Sequence, residues 1–373
     1  MSAINFGQSV SLTEFAKAIG QVGRDVTVIG QGEPGIGKSS MLKVLAKQYP
    51  EYAISYIDCT LLDLGDFALP YTEVVENELT GVNKITKFAP NARFKMHEGK
   101  PVIAMLDEIG KAMKAVKNVL LTLMNEYRIG DMTLPKGSIV FGTTNLSTDG
   151  VGDSLEAHAR NRVCFTTVRK PHAGFNVDGS LDPDSWGAWA IENDIEPIVL
   201  AWVKQNPHCL ESYTDPAQIE NGLIYQPTKP QSAFVTPRSL EKASHIVKQR
   251  HTLGDLVTQS LLAGTVGDKA AAEMQAFFTV VDKLPTWESI VADPKGAKVP
   301  GTTDVIAKCM VVFSALTRVD DKSIDAWIDY AERLDLEWQA MFAKSAMKSS
   351  TKQSILTRNT KFKQWAIKNQ WAF

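Results

Sequence analysis

Apolar runs and amphipathic stretches alternate between residues 25 and 170. Asp25–Gly30 (DVTVIG), Tyr52–Cys59 (YAISYIDC), Val102–Leu106 (VIAML) and Ser138–Thr144 (SIVFGTT) have the length and content of buried strands, and Arg162–Val168 supplies one more. Between them, Ser39–Gln48 (SSMLKVLAKQ) reads as a helix. Lys111–Tyr127 reads as another, with Met113, Val116, Leu120, Leu123 and Met124 on one face and Lys111, Lys114 and Lys117 mostly off it. Strands alternating with helices imply a parallel sheet covered on both faces.

The pattern changes after Lys170-Pro171. A loop rich in Pro, Gly and Asp (PHAGFNVDGSLDPD) leads into helical segments near Asp184–Glu192, Pro197–Lys204, Pro237–Lys248 and Asp268–Lys283. The stretch ADPKGAKVPGTT, Ala292 to Thr303, has the composition of a linker. Two helical segments follow, about Asp304–Leu316 and Asp321–Phe342. The expected division is an α/β core over 1–170, a helical lid over 171–291 and a helical C-terminal extension over 292–373.

Composition adds exclusions. The 373 residues are 44% hydrophobic and 22% charged with a net charge of −2, which rules out a disordered chain. No apolar run approaches the ~20 residues needed to span a bilayer; the best, Cys309–Phe313, is far too short. The N-terminal stretch has no basic region followed by an apolar one, so a cytoplasmic location is expected. Cys59, Cys164, Cys209 and Cys309 are widely spaced and are expected to be reduced packing residues. The total charge hides a split: residues 338–373 carry seven Lys/Arg and no acid, leaving −9 on residues 1–337.

Three segments carry candidate chemistry. Gly32-Glu33-Pro34-Gly35-Ile36-Gly37-Lys38-Ser39 fits G-x-x-x-x-G-K-[ST] and lies between a strand and a helix, as that phosphate loop requires. Its backbone N–H groups can curl around phosphate oxygens, Lys38 can reach the β- and γ-phosphates, and the Ser39 hydroxyl suits Mg²⁺. The strand Val102–Leu106 ends in Asp107-Glu108. Asp107 is placed to hold the Mg²⁺ shell, and Glu108, one residue on, to polarise an attacking water. Thr143-Thr144-Asn145 ends a later strand; its amide can bond the γ-phosphate and the lytic water, or simply cap a turn.

The ordered set of phosphate loop, acidic pair, polar strand end and paired arginines resembles that of AAA+ ATPases. Within them the chain resembles the MoxR group, near the dynein- and midasin-related branch. The resemblance runs roughly from Gly30 to Thr265 through GEPGIGKSS, LLDLGDFALPY, the segment from MLDEIGKAMK to SIVFGTTN, EAHARNRV, WGAWAIEN and AFVTPRSLEKAS. It implies a P-loop core with a parallel sheet between helices, followed by a helical lid. It further implies that Gly32, Pro34, Gly35, Ile36, Gly37, Lys38, Ser39 and Ser40 bind the phosphates of ATP. Asp107 coordinates Mg²⁺ with Ser39, Glu108 is the catalytic carboxylate, and Asn145 is sensor 1. Arg162 aligns with the arginine finger, with Val163 in place of the usual Phe and Arg160 as a competing candidate. Arg238, in TPRS, resembles sensor 2, although Thr236-Pro237 is also an ordinary helix start.

An arginine finger implies a ring, usually hexameric, in which Arg162 acts in trans. The family implies remodelling or maturation of a partner protein, often a von Willebrand factor A-type protein. No DxSxS pattern occurs in this chain, so such a partner would be a separate chain. Thr72–Phe88 and Tyr127–Gly137 resemble the helix-2 and pre-sensor-1 insertions, expected as hairpins that face a central pore or as plain surface loops. The alternative function is a DNA-directed motor or loader using the basic tail with Phe362, Trp365, Trp371 and Phe373. Against it stand the spaced charges and the lack of a nucleic-acid motif; a solvated helix packing its aromatics, or a docking arm, is favoured. A slow nucleotide switch is disfavoured by the intact Asp107-Glu108 pair. Guanine specificity lacks support, because Asn83-Lys84-Ile85-Thr86 has the wrong fourth residue for NKxD.

Overall fold

The computed structural model describes residues 8–75, 81, 84–146, 157–176 and 180–370. These form two compact units, Met1–Lys170 and Pro171–Phe373. In the first, the strands in chain order are β1 (Ser9–Val10), β2 (Val28–Gln31), β3 (Ala53–Asp58), β4 (Ala68–Val74), β5 (Lys84–Pro90), β6 (Val102–Asp107), β7 (Arg128–Ile129), β8 (Met132–Thr133), β9 (Ile139–Thr144) and β10 (Cys164–Val168). Its helices are α1 (Leu12–Val22), α2 (Met41–Gln48), α3 (Lys114–Glu126) and α4 (Ala157–Arg160).

Six strands build one parallel sheet in the order β1-β10-β2-β9-β6-β3. Alternation along β6 assigns its faces. Val102, Ala104 and Leu106 join a cluster with Val116, Leu120 and Leu123 of α3, whereas Ile103 and Met105 join Phe15, Ile19 and Leu45 of α1 and α2. Both faces are therefore covered by helices.

Helix α1 was not expected, although Ser11 and Glu14 form a reciprocal capping box at its start. Met113, expected on the buried face of α3, is instead its 57% exposed N-cap. Only Cys59, Cys209 and Cys309 are buried; Cys164 is exposed, so it is not a packing residue.

Both expected insertions are antiparallel hairpins. The first has longer arms than Thr72–Phe88, since β4 and β5 pair from Ala68↔Pro90 to Val74↔Lys84; residues 76–80 and 82–83 lie outside the described set. The second pairs β7 with β8. The hairpins meet where Asp131 Oδ2 accepts a hydrogen bond from Phe88 N at 2.7 Å.

The second unit is helical: α5 (Trp186–Glu192), α6 (Pro197–Gln205), α7 (Pro237–Lys248), α8 (Arg250–Leu253), α9 (Asp255–Val266), α10 (Asp268–Val281), α11 (Trp287–Ala292), α12 (Val305–Arg318), α13 (Ile324–Ala331), α14 (Leu336–Lys348), α15 (Lys352–Arg358) and α16 (Thr360–Lys368). One apolar cluster runs through helices on either side of residue 292, from Trp202 of α6 to Trp365 of α16. The helix expected over Asp321–Phe342 is two, α13 and α14. The break falls at Asp335, whose backbone is extended and whose carboxylate pairs with the buried ammonium of Lys308. Among the described residues no helix is long and apolar enough to cross a membrane.

Candidate functional site

Strand β2 ends at Gln31, and the chain turns through Gly32–Gly37 before a 3₁₀ turn, Lys38–Ser40, opens into α2. Gly37 has φ of 106°, a conformation that any side chain would strain. Lys38 is buried, and its ammonium donates to Gly32 O and Glu33 O at 2.7 Å and to Asn145 Oδ1 at 3.0 Å. A desolvated ammonium is tolerable only with such partners. Here they are the loop's own carbonyls and the polar end of β9.

Asp107, the last residue of β6, is buried and receives three hydroxyl donors. Ser39 Oγ donates to Oδ2 at 2.8 Å and Tyr56 OH to the same oxygen at 3.0 Å, while Thr143 Oγ1 donates to Oδ1. Burial, and then the negative charge of Asp107, pushes the Tyr56 phenol up to about 12. The same two causes push the buried Cys59 thiol up.

Glu108 adopts a left-handed backbone (φ 56°), which turns its side chain out of the strand direction. Asn145 Nδ2 donates to both its oxygens, at 3.2 and 3.1 Å, and Lys111 Nζ lies 2.9 Å from Oε2. A continuous chain of polar contacts thus runs Lys38–Asn145–Glu108–Lys111.

Lys38, Ser39, Asp107, Glu108 and Asn145 are therefore brought together at the C-terminal ends of β2, β6 and β9, where ligands sit in open parallel sheets. Arg162 is exposed after α4 and outside this cluster, its N–H donating to Ala159 O at 3.1 Å. Arg238 is the exposed second residue of α7 in the other unit, behind a Thr236–Ser239 capping box. Tyr56, Thr143 and Lys111 were not anticipated. Lys111 was legible as the residue three after Glu108; Thr143 and Tyr56 needed the pairing of β9 and β3 with their neighbours.

Residues 28–166 match the model of the ATPase family associated with various cellular activities (AAA). Over this segment the chain is similar to AAA ATPases. No curated protein shows significant similarity to the chain. Similar solved structures include Brucella abortus NtrX in complex with ADP, at 11% identity and a TM-score of 0.37, covering 99% of this chain and 69% of that one. The Thermotoga maritima RuvB Holliday junction branch migration motor is similar at 14% identity and a TM-score of 0.34, covering 84% and 85%. The matched segment holds every member of the hydrogen-bonded cluster, and the parallel sheet with helices on both faces is the α/β architecture expected from the sequence.

Proposed function

We propose that the chain is a MoxR-like, ring-forming AAA+ ATPase that hydrolyses ATP to remodel or mature a partner protein, with a separate von Willebrand factor A-type chain as a possible class of partner. The observation that carries the catalytic part is the 2.8 Å contact between Ser39 Oγ and Asp107 Oδ2 beside the Lys38–Asn145–Glu108 chain. One hydroxyl and one carboxylate oxygen at this separation form a hard donor pair that suits Mg²⁺, which takes few protein ligands and completes its shell with water and phosphate. When bound there, Mg²⁺ would neutralise charge on the phosphates.

The chain's own residues then divide the work. Gly32 to Ser40 hold the phosphates through backbone N–H groups, and the Lys38 ammonium exchanges its carbonyl partners for phosphate oxygens. Glu108 accepts a proton from the attacking water as its oxygen bonds to phosphorus and the bond to ADP breaks. Asn145 orients that water and the terminal phosphate. Arg162, exposed between α4 and β10, is offered to a neighbouring subunit, where its guanidinium stabilises charge on the transferring phosphoryl group. Arg238 is assigned to the sensor 2 role in the helical unit.

The two hairpins provide the client surface, with Leu69, Tyr71, Val74, Phe88 and Met132 all exposed. The DNA-directed reading loses support from the tail itself. Phe362 and Trp365 are buried in the helical unit and cannot stack on bases, and Trp371 and Phe373 lie outside the described residues.

Subunit mixing tests the ring. Arg162→Ala and Glu108→Gln proteins, each inactive alone, should regain part of the wild-type ATPase when mixed, because each supplies what the other's interface lacks. A protein that stays monomeric with ATP and Mg²⁺, or a mixture without recovered turnover, contradicts the trans arrangement.

A further inference from the structure

The polar chain at the site ends on a residue that the reaction as described leaves without a role. Lys111 lies one turn beyond Glu108, in the 3₁₀ turn Ile109–Lys111, and its N–H donates to Glu108 O at 2.9 Å. Its ammonium comes back over that turn to sit 2.9 Å from Glu108 Oε2. The side chains are 33% and 29% exposed. A pair this open to solvent contributes only about 0–1 kcal/mol to stability, so holding the fold together is a poor account of it. Orientation is a better one. The left-handed backbone of Glu108 throws its side chain off the strand, and the two Asn145 contacts, at 3.1 and 3.2 Å, are long for bonds to a carboxylate. Lys111 is the short, charge-assisted contact, and it engages one oxygen only. Oε1 is left with the longer Asn145 contact and is the oxygen free to take a proton from water.

We infer that Lys111 is a positioning residue for hydrolysis: it pins Glu108 Oε2 so that Oε1 is presented to the attacking water. The inference rests on Glu108 being the general base. Lys111 itself touches neither nucleotide nor water in this role. Its loss therefore leaves ATP binding intact and slows the chemical step, since a general base contributes about 10²–10⁴-fold and a loosely held one forfeits part of that.

Steady-state ATPase and nucleotide binding on the full chain decide the matter. Lys111→Ala should lower kcat by about tenfold, a fraction of the general-base contribution, with KM and the ATP dissociation constant unchanged. Lys111→Arg, which keeps a donor within reach, should restore most of the rate. In a Glu108→Gln background, Lys111→Ala should cause no further loss, because the residue acts only through the carboxylate. A kcat for Lys111→Ala at or above wild type overturns the inference, as does a loss in KM rather than kcat, a failure of Arg to rescue, or a further loss in the Glu108→Gln background. If Glu108→Gln turns over like wild type, the assignment of the base has failed. If Glu108→Gln is inactive while Lys111→Ala is unaffected, only the role of Lys111 has.

Discussion

Asp107 is held on both carboxylate oxygens by hydroxyl donors. Ser39, Tyr56 and Thr143 come from three different elements, and all donate to its two oxygens. A carboxylate fixed in this way loses little freedom when a cation is added, which is how a supporting shell raises metal affinity. Tyr56 is 52% exposed, so its hydroxyl is a positioning contact rather than a core one. Tyr56→Phe should cost at most about 1 kcal/mol in stability, the net worth of one hydrogen bond, and should weaken Mg²⁺-dependent ATP binding several-fold when titrated with the metal. The phenol's folded value, about 12, lies above its ordinary value of 10.0. Its contribution to stability is therefore complete below pH 10 and is lost as pH rises through about 12. An alkaline tyrosinate titration of wild type against Tyr56→Phe should show one late-ionising phenol missing from the variant. Ser39, Asp107, Glu108 and Asn145 were legible in the sequence because each occupies a fixed place in an ordered motif. Tyr56 was not, because its role depends on β3 lying beside β6, and strand order is not written in any local pattern.

The elements are built to aim these side chains. Strands β2, β6 and β9 end level with one another, with Gly30 opposite Thr143 and Leu106 opposite Gly142. Gly142 is there for a packing reason: a Cβ at this position would lie 2.2 Å from Ile109 Cδ1 and 3.3 Å from Leu106 O. Ile109 is buried directly after Glu108, so the space left by Gly142 seats the turn from which Glu108 projects. Gly142→Ala should destabilise the domain by about 1–3 kcal/mol through overpacking, and should lower kcat more than it alters ATP affinity. Equal loss in both would mean that the substitution acts on the fold alone. Strand and helix periodicities located most elements within a few residues, and the boundaries moved where caps intervened. The sequence pattern did not show the break between α13 and α14, since apolar spacing continues across Glu332–Asp335. Helix α13 ends at Ala331, and α14 starts after Asp335, whose carboxylate pairs with Lys308 of α12. Short apolar-poor arms such as β7 and β8 were readable only as turn chemistry.

Across the whole molecule the acidic body and basic C-terminal arm are distinct in sequence, yet several of the arm's charges are satisfied within the helical unit. Lys361 pairs with Asp329 at 2.5 Å and Arg358 with Asp321 at 3.5 Å, while Lys352 donates to Thr317 O and Val319 O. The aromatics act in the same direction: Trp365 is buried, with its indole N–H donating to Gln339 Oε1 at 3.0 Å. Trp365→Ala should therefore cost about 3–5 kcal/mol, read as a lower melting temperature, with added DNA leaving ATPase turnover unchanged in wild type. DNA stimulation carried by this arm would restore the DNA-directed reading. The proposed reaction itself needs only the first unit, whose cluster we propose hydrolyses ATP with Glu108 as the base. Glu108→Gln keeps the size of the side chain and removes its basicity, so turnover measured beside ATP binding isolates the contribution of the base. The expected result is a loss of about 10²–10⁴-fold in ATPase rate with ATP still bound, and a variant that hydrolyses ATP at the wild-type rate would contradict it.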